Sequence, residues 1–80
     1  MNRTSPVEIV LYSRRGCHLC EQAEEWLGFH APAATVIDVD RLPEDAATFG
    51  LRVPVVVIDG AAVLEGRFDE RQLLAAIRRG

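Results

Sequence analysis

The sequence predicts an α/β domain in which a four-stranded mixed sheet is flanked by three helices, in the order β-α-β-α-β-β-α. Three observations carry this prediction. Short runs rich in Val and Ile alternate with stretches of helical periodicity, as strands joined by crossover helices do. The first strand-helix-strand unit fits a right-handed parallel crossover. Asp59-Gly60 then separates two apolar runs as a two-residue hairpin signal, so part of the sheet is antiparallel.

"VEIVLY", residues 7–12, is the first strand. Val7, Ile9 and Leu11 would face one side and Val10 and Tyr12 the other, and two apolar faces predict a central position in the sheet. After "SRRG" a helix starts near Cys17, because Leu19, Cys20, Ala23, Trp26 and Leu27 share one stripe while Glu21, Gln22, Glu24 and Glu25 share the opposite one. Gly28 is the expected stop. "ATVIDVD", 34–40, is the second strand, ending in turn-forming acids. In "PEDAATFG" Pro43 suits a first helical position, Glu44 and Asp45 suit a positive helix N-terminus, and Gly50 closes a short helix. "VPVVVIDG" supplies the third strand, with Pro54 at its start, where no ladder donor is lost. "AAVLE" returns antiparallel. Asp69 and Gln72 form a capping-box pattern for a last helix that turns Leu73, Leu74 and Ile77 inward and ends at Arg78, Arg79 and Gly80. Phe49 and Phe68, like Trp26, read as core, and His30 as a surface loop histidine.

At 80 residues and 49% hydrophobic composition, the chain reads as one globular domain, 1–80, near the lower size limit for a self-sufficient core. Two cysteines close at most one loop, and C-x-x-C closes a very short one, so the fold must rest on its aliphatic residues. The net charge is −3 and all nine basic residues are Arg, scattered except at Arg14-Arg15 and Arg78-Arg79. That distribution excludes a basic nucleic-acid face. "MNRTSP" leads directly into a strand, and no apolar run approaches a signal sequence or membrane span. The expectation is a soluble, cytoplasmic monomer with no membrane or nucleic-acid partner. In a reducing compartment a close cysteine pair is more often catalytic or metal-binding than structural.

"SRRGCHLCEQAEEW", 13–26, holds that pair where the first strand becomes the first helix. A thiol at a helix N-terminus meets unpaired backbone N–H groups and the positive end of the dipole, which favour thiolate. Cys17 is therefore the expected nucleophile, with Arg14, Arg15 and His18 adding positive charge. Cys20 lies one turn along, turned toward the core, and suits a resolving thiol. Two alternatives remain on the residues alone. The pair could be small core residues, though its setting in a β-α-β unit favours redox work. Zinc normally takes four ligands, and Cys17, Cys20, His18 and His30 lack the paired spacing, so no metal ligand is assigned.

"LYSRRGCHLC" together with "VPVVVIDG" resembles the thioredoxin superfamily, and most closely the glutaredoxin-like proteins of short bacterial type. The resemblance runs from Val7 to Ile77 in matching element order. It implies a thioredoxin-like fold and a thiol-disulfide oxidoreductase that reduces protein or glutathione mixed disulfides. It also implies that Pro54 is cis beside the cysteines and that the Val53 backbone pairs with a bound thiol peptide. Tyr12 and Arg14 match the Tyr-Thr-Lys-Pro-Gly-Cys pattern, in which the basic residue contacts a glutathione carboxylate. His18 resembles the histidine inside the motif of disulfide isomerases, which stabilises the thiolate.

The departures concern substrate. His18-Leu19 replaces Pro-Tyr between the cysteines, and Arg52 stands where a Thr precedes Val-Pro. The Gly-Gly-Cys-Asp that holds the γ-glutamyl group has become "LEGRFDE", in which Gly66 and Asp69 survive. Arg52 and Arg67 read as surface charges. By resemblance, substrate contacts fall to Tyr12, Arg14, His18, Val53, Pro54 and Gly66. No tightly bound cofactor is expected, glutathione being a possible co-substrate. The partners are then a disulfide-containing protein or glutathione, with a reductase or glutathione as electron donor. The alternatives are a metal or iron-sulfur cluster module, as in some glutaredoxin relatives, and a redox-inert interaction domain.

Overall fold

A computed structural model of the chain describes residues 7–79. The readings of "MNRTSP" and of Gly80 as a helix end lie outside the described residues. The elements are β1 (Ile9–Ser13), α1 (His18–His30), β2 (Thr35–Asp38), a 3₁₀ turn (Val39–Arg41), α2 (Pro43–Phe49), β3 (Val55–Ile58), β4 (Ala61–Glu65) and α3 (Glu70–Arg79). The sheet order is β2-β1-β3-β4. β1 runs parallel to β2 and antiparallel to β3, and β3 pairs antiparallel with β4. The predicted α/β thioredoxin-like order and mixed sheet hold, with β1 inside the sheet.

β1 can sit there because both its faces are apolar. Leu11 is fully buried with Val56, Ala23, Leu27 and Leu73, in a core that Phe68, Ile58 and Ala76 complete between the sheet and the two longer helices. Each such fully buried leucine contributes roughly 1.5–3 kcal/mol. Trp26 is half-buried against this core, tilted over Phe68 at 6.5 Å. On the opposite face Tyr12 stacks on Phe49 with ring centroids 4.2 Å apart. α2 buries none of its own residues completely, so this cover is thin.

Three of the boundaries that differ from the sequence reading have an identifiable cause. α1 continues past Gly28 to His30. The Ala31 N–H donates to the Leu27 carbonyl at 2.7 Å, and Pro32 then prevents further helix. His30 is thus helical and half-buried, its Nε2 2.6 Å from Glu70 Oε2, rather than a loop histidine. β2 stops at Asp38 because that side chain accepts the Asp40 N–H at 2.9 Å and bends the chain into the 3₁₀ turn, which buries Val39. β3 begins at Val55, after Pro54. The Asp59-Gly60 turn has positive φ at both residues, 49° and 86°, as a primed hairpin turn requires. The capping box forms reciprocally, Asp69 N–H to Gln72 Oε1 at 2.9 Å and Gln72 N–H to Asp69 Oδ1 at 2.8 Å.

One side chain ties the end of β1 to the segment that follows β2. Arg14 donates from Nε and Nη2 to the two Asp40 oxygens, each at 3.0 Å, and from Nη1 to the Gly50 carbonyl at 2.9 Å. Gly50 is required there for space rather than for its backbone angle, since its φ is −54°. A Cβ would collide with the Ala46 carbonyl oxygen and reach Arg14 Nη2 at 3.1 Å. Gly50→Ala is therefore expected to destabilise by about 1–3 kcal/mol, read as a fall of several degrees in Tm; an unchanged Tm would contradict the close packing.

The Arg14 hydrogen bond, and then its charge, hold the Asp40 carboxyl below the ordinary carboxylate range. A depressed folded-state pKa lends stability that is complete above the ordinary value and lost as pH falls through the folded one. Asp40→Asn should accordingly flatten the acid side of a stability-pH profile and leave the neutral side parallel to wild type. Identical acid slopes in the two proteins would show that the pair carries no such linkage.

Candidate active site

Ser13 ends β1, and Gly16, with φ 75°, turns the chain so that Cys17 sits at the N-cap of α1. Cys17 has extended backbone angles, φ −99° and ψ 111°, and its sulfur accepts the Cys20 N–H at 3.2 Å. A sulfur here performs the capping that a Ser or Asp oxygen usually performs. The Cys17 carbonyl accepts the Glu21 N–H at 3.0 Å, and the helix is under way.

Both cysteines are free thiols in unlike surroundings: Cys17 is half-buried, while Cys20 is 0% exposed. Burial first, then the hydrogen bond with Cys17, push the Cys20 thiol up to about 11; the Arg14 backbone and the Ser13 hydroxyl act in the opposite direction. The arrangement places a reachable sulfur beside a backbone donor and a protonated sulfur beneath it.

Two residues without a role in the sequence reading are joined at the strand-helix turn that carries the pair. Ser13, 3% exposed, donates its hydroxyl to Glu24 Oε2. Glu24 had been grouped with the solvent-facing acids of α1; it is exposed, yet it reaches back to the end of β1. The available signal was its i, i+4 relation to Cys20, which puts both on one side of the helix.

The remaining candidates are distributed as follows. The Val53-Pro54 peptide bond is cis, Pro54 is buried and Val53 is half-buried. The Gly66 N–H, at φ 71°, is shared between the carbonyls of Pro54 at 2.9 Å and Arg52 at 3.0 Å, so this glycine braces the proline segment. Arg52 lies 5.4 Å over the Phe49 ring and donates to Glu65 at 2.9 and 2.6 Å. Tyr12 is occupied by Phe49, Arg14 by Asp40 and Gly50, and Asp69 by the cap of α3. His18 is exposed at the first position of α1. Leu51, beside this segment, is fully exposed; nothing in its sequence context marked it.

Among the described residues, no three His, Cys, Asp or Glu side chains converge as a metal-binding group. Nor is any helix among them long and apolar enough to cross a membrane.

Residues 8–78 match the model of the Glutaredoxin-like domain (DUF836) family. No curated protein matches the chain. Among solved structures, the chain is similar to a structural-genomics target protein from X. campestris, with 34% identity over 90% of this chain and 97% of that one and a TM-score of 0.78. It is also similar to a mutant thioredoxin from Halobacterium salinarum, with 32% identity over 91% of this chain and 73% of that one and a TM-score of 0.68. A glutaredoxin from Archaeoglobus fulgidus aligns at 26% identity over 92% of this chain and 88% of that one, with a TM-score of 0.66. Family match, fold and the close cysteine pair point together to thiol redox work, and the chain belongs to the glutaredoxin-like domain family.

Proposed function

We propose that the protein is a cytoplasmic thiol-disulfide oxidoreductase in which Cys17 attacks and Cys20 resolves. The observation that carries this reading is the division of the pair: the Cys17 sulfur caps α1 within reach of solvent, and Cys20 is enclosed behind it. In the first step the Cys17 thiolate attacks one sulfur of a substrate disulfide. A Cys17-substrate bond forms, the substrate S–S bond breaks, and its electron pair leaves with the released sulfur, which takes up a proton. In the second step the Cys20 thiolate attacks the Cys17 sulfur and expels the remaining substrate thiolate. The substrate has gained two electrons and the pair is left as a disulfide. A reductase or glutathione then restores both thiols.

The preferred substrate is a disulfide in a polypeptide. Arg14 and the Gly66 N–H, the groups assigned to glutathione by resemblance, both have partners within the chain. The Val53 backbone carries no hydrogen bond to another described residue, and fits pairing with an extended substrate segment as a short added strand. Exposed Leu51 supplies apolar surface alongside. Glutathione serves in this reading as electron donor rather than as the group recognised.

The test is reduction of a disulfide-bonded peptide by single-cysteine variants. Cys17→Ser should abolish it. Cys20→Ser should retain the first attack and accumulate a peptide adduct, detected as added mass on Cys17. Full activity in Cys17→Ser, or an adduct on Cys20 in its place, would contradict the assigned roles.

A further inference from the structure

In the segment between α2 and β3, the backbone of Val53 is bonded to no other described residue, yet the residues on either side of it are held. The Arg52 N–H donates to the Phe49 carbonyl at 2.8 Å. The carbonyls of Arg52 and Pro54 both accept the Gly66 N–H, at 3.0 and 2.9 Å. One donor therefore fixes a carbonyl before Val53 and a carbonyl after it.

Glu65, the last residue of β4 and the cross-strand partner of Val55, grips the same segment by its side chain. Its Oε1 accepts from Arg52 Nε at 2.9 Å and from Arg52 Nη2 at 2.6 Å. Arg52 Nη1 donates to the Thr48 carbonyl at 3.3 Å, and the guanidinium lies 5.4 Å over Phe49, which stacks on Tyr12. Two consecutive residues at the end of β4, one by side chain and one by backbone, thus fasten the segment to the sheet, and Arg52 also joins it to the end of α2.

The side chains of the Arg52-Glu65 pair are 41% and 51% exposed, and an ion pair so open to water contributes little to stability. Its effect on position is larger. A strand added by backbone hydrogen bonds needs N···O distances of about 2.7–3.2 Å and near-linear N–H···O angles. A small displacement of Val53 is therefore felt in binding.

We infer that Glu65, acting through Arg52, sets the position of the Val53 backbone and thereby how tightly the site takes an extended peptide disulfide. Both are positioning residues, and the cysteines do the chemistry. A disulfide that offers no backbone to Val53 does not sense the pair. The inference rests on the oxidoreductase reading above and on strand pairing at Val53.

The test is a double-mutant cycle. Reduced wild type, Glu65→Ala, Arg52→Ala and the double variant are each mixed with a disulfide-bonded peptide over a range of concentrations. Single-turnover oxidation of the cysteine pair then gives a maximal rate and a half-saturating concentration. Expected is a half-saturating concentration raised about tenfold in each single variant, with the maximal rate unchanged. The double variant should show no further rise, because removing either partner already releases the other. Bis(2-hydroxyethyl) disulfide, which has no peptide backbone, should oxidise Glu65→Ala at the wild-type rate. An unchanged half-saturating concentration in Glu65→Ala, single effects that multiply in the double variant, or an equal loss of rate toward the small disulfide would overturn the positioning role. Wild-type protein that neither disulfide oxidises would overturn the oxidoreductase reading itself, and this role with it.

Discussion

The hydrogen bond from the Cys20 N–H to the Cys17 sulfur is the interaction on which the rest of the site depends. It begins α1, because an N-cap acceptor satisfies a donor that the helix would otherwise leave open. It also makes the two sulfurs unequal. The capping residue must stay outside the helix, at the surface, while the residue one turn on joins the stripe of Ala23 and Leu27 and enters the core. Local helix geometry therefore separates an accessible from an enclosed thiol before any more distant residue is considered. β1 makes this placement firm, since it is held by β2 on one side and β3 on the other and delivers the turn to a fixed point.

Much of the fold was legible because its signals are local. The Val- and Ile-rich runs, the Asp59-Gly60 turn and the Asp69-Gln72 capping box each specify their own backbone within a few residues. What was misread depends on partners distant in sequence or on competing side chains. Gly28 has weak helix propensity, but its helix runs on to His30, which meets Glu70 from α3. The end of β2 turned on whether Asp38 would bond the backbone ahead of it, which composition does not decide. In the site, Cys17 and Cys20 were legible from spacing alone. Arg14 was not, because its partners Asp40 and Gly50 lie 26 and 36 residues away. Ser13 and Glu24 were hidden for the same reason, being joined across the strand-helix turn.

These long-range bonds bear on specificity. An arginine in a bidentate pair and bonded to a carbonyl is a brace, and recruiting it to a ligand would mean breaking contacts with Asp40 and Gly50. Gly66 and Arg52 brace the far side of the proline segment in the same manner. The polarity of Arg14, Arg52 and Gly66 is thus spent on holding the loops, and in the proposed reading recognition falls to backbone, to Leu51 and to the shape around Cys17. The proposed preference for an extended polypeptide over a small, multiply charged thiol rests on these contacts.

The most direct measurement is equilibration of the purified protein against glutathione redox buffers, scoring reduced, oxidised and glutathionylated forms by mass. A reversible intramolecular Cys17-Cys20 bridge, formed and broken within the accessible range of potentials, is the predicted result. A pair that remains reduced across that range, or that oxidises only between molecules, would contradict the division of labour between the two thiols.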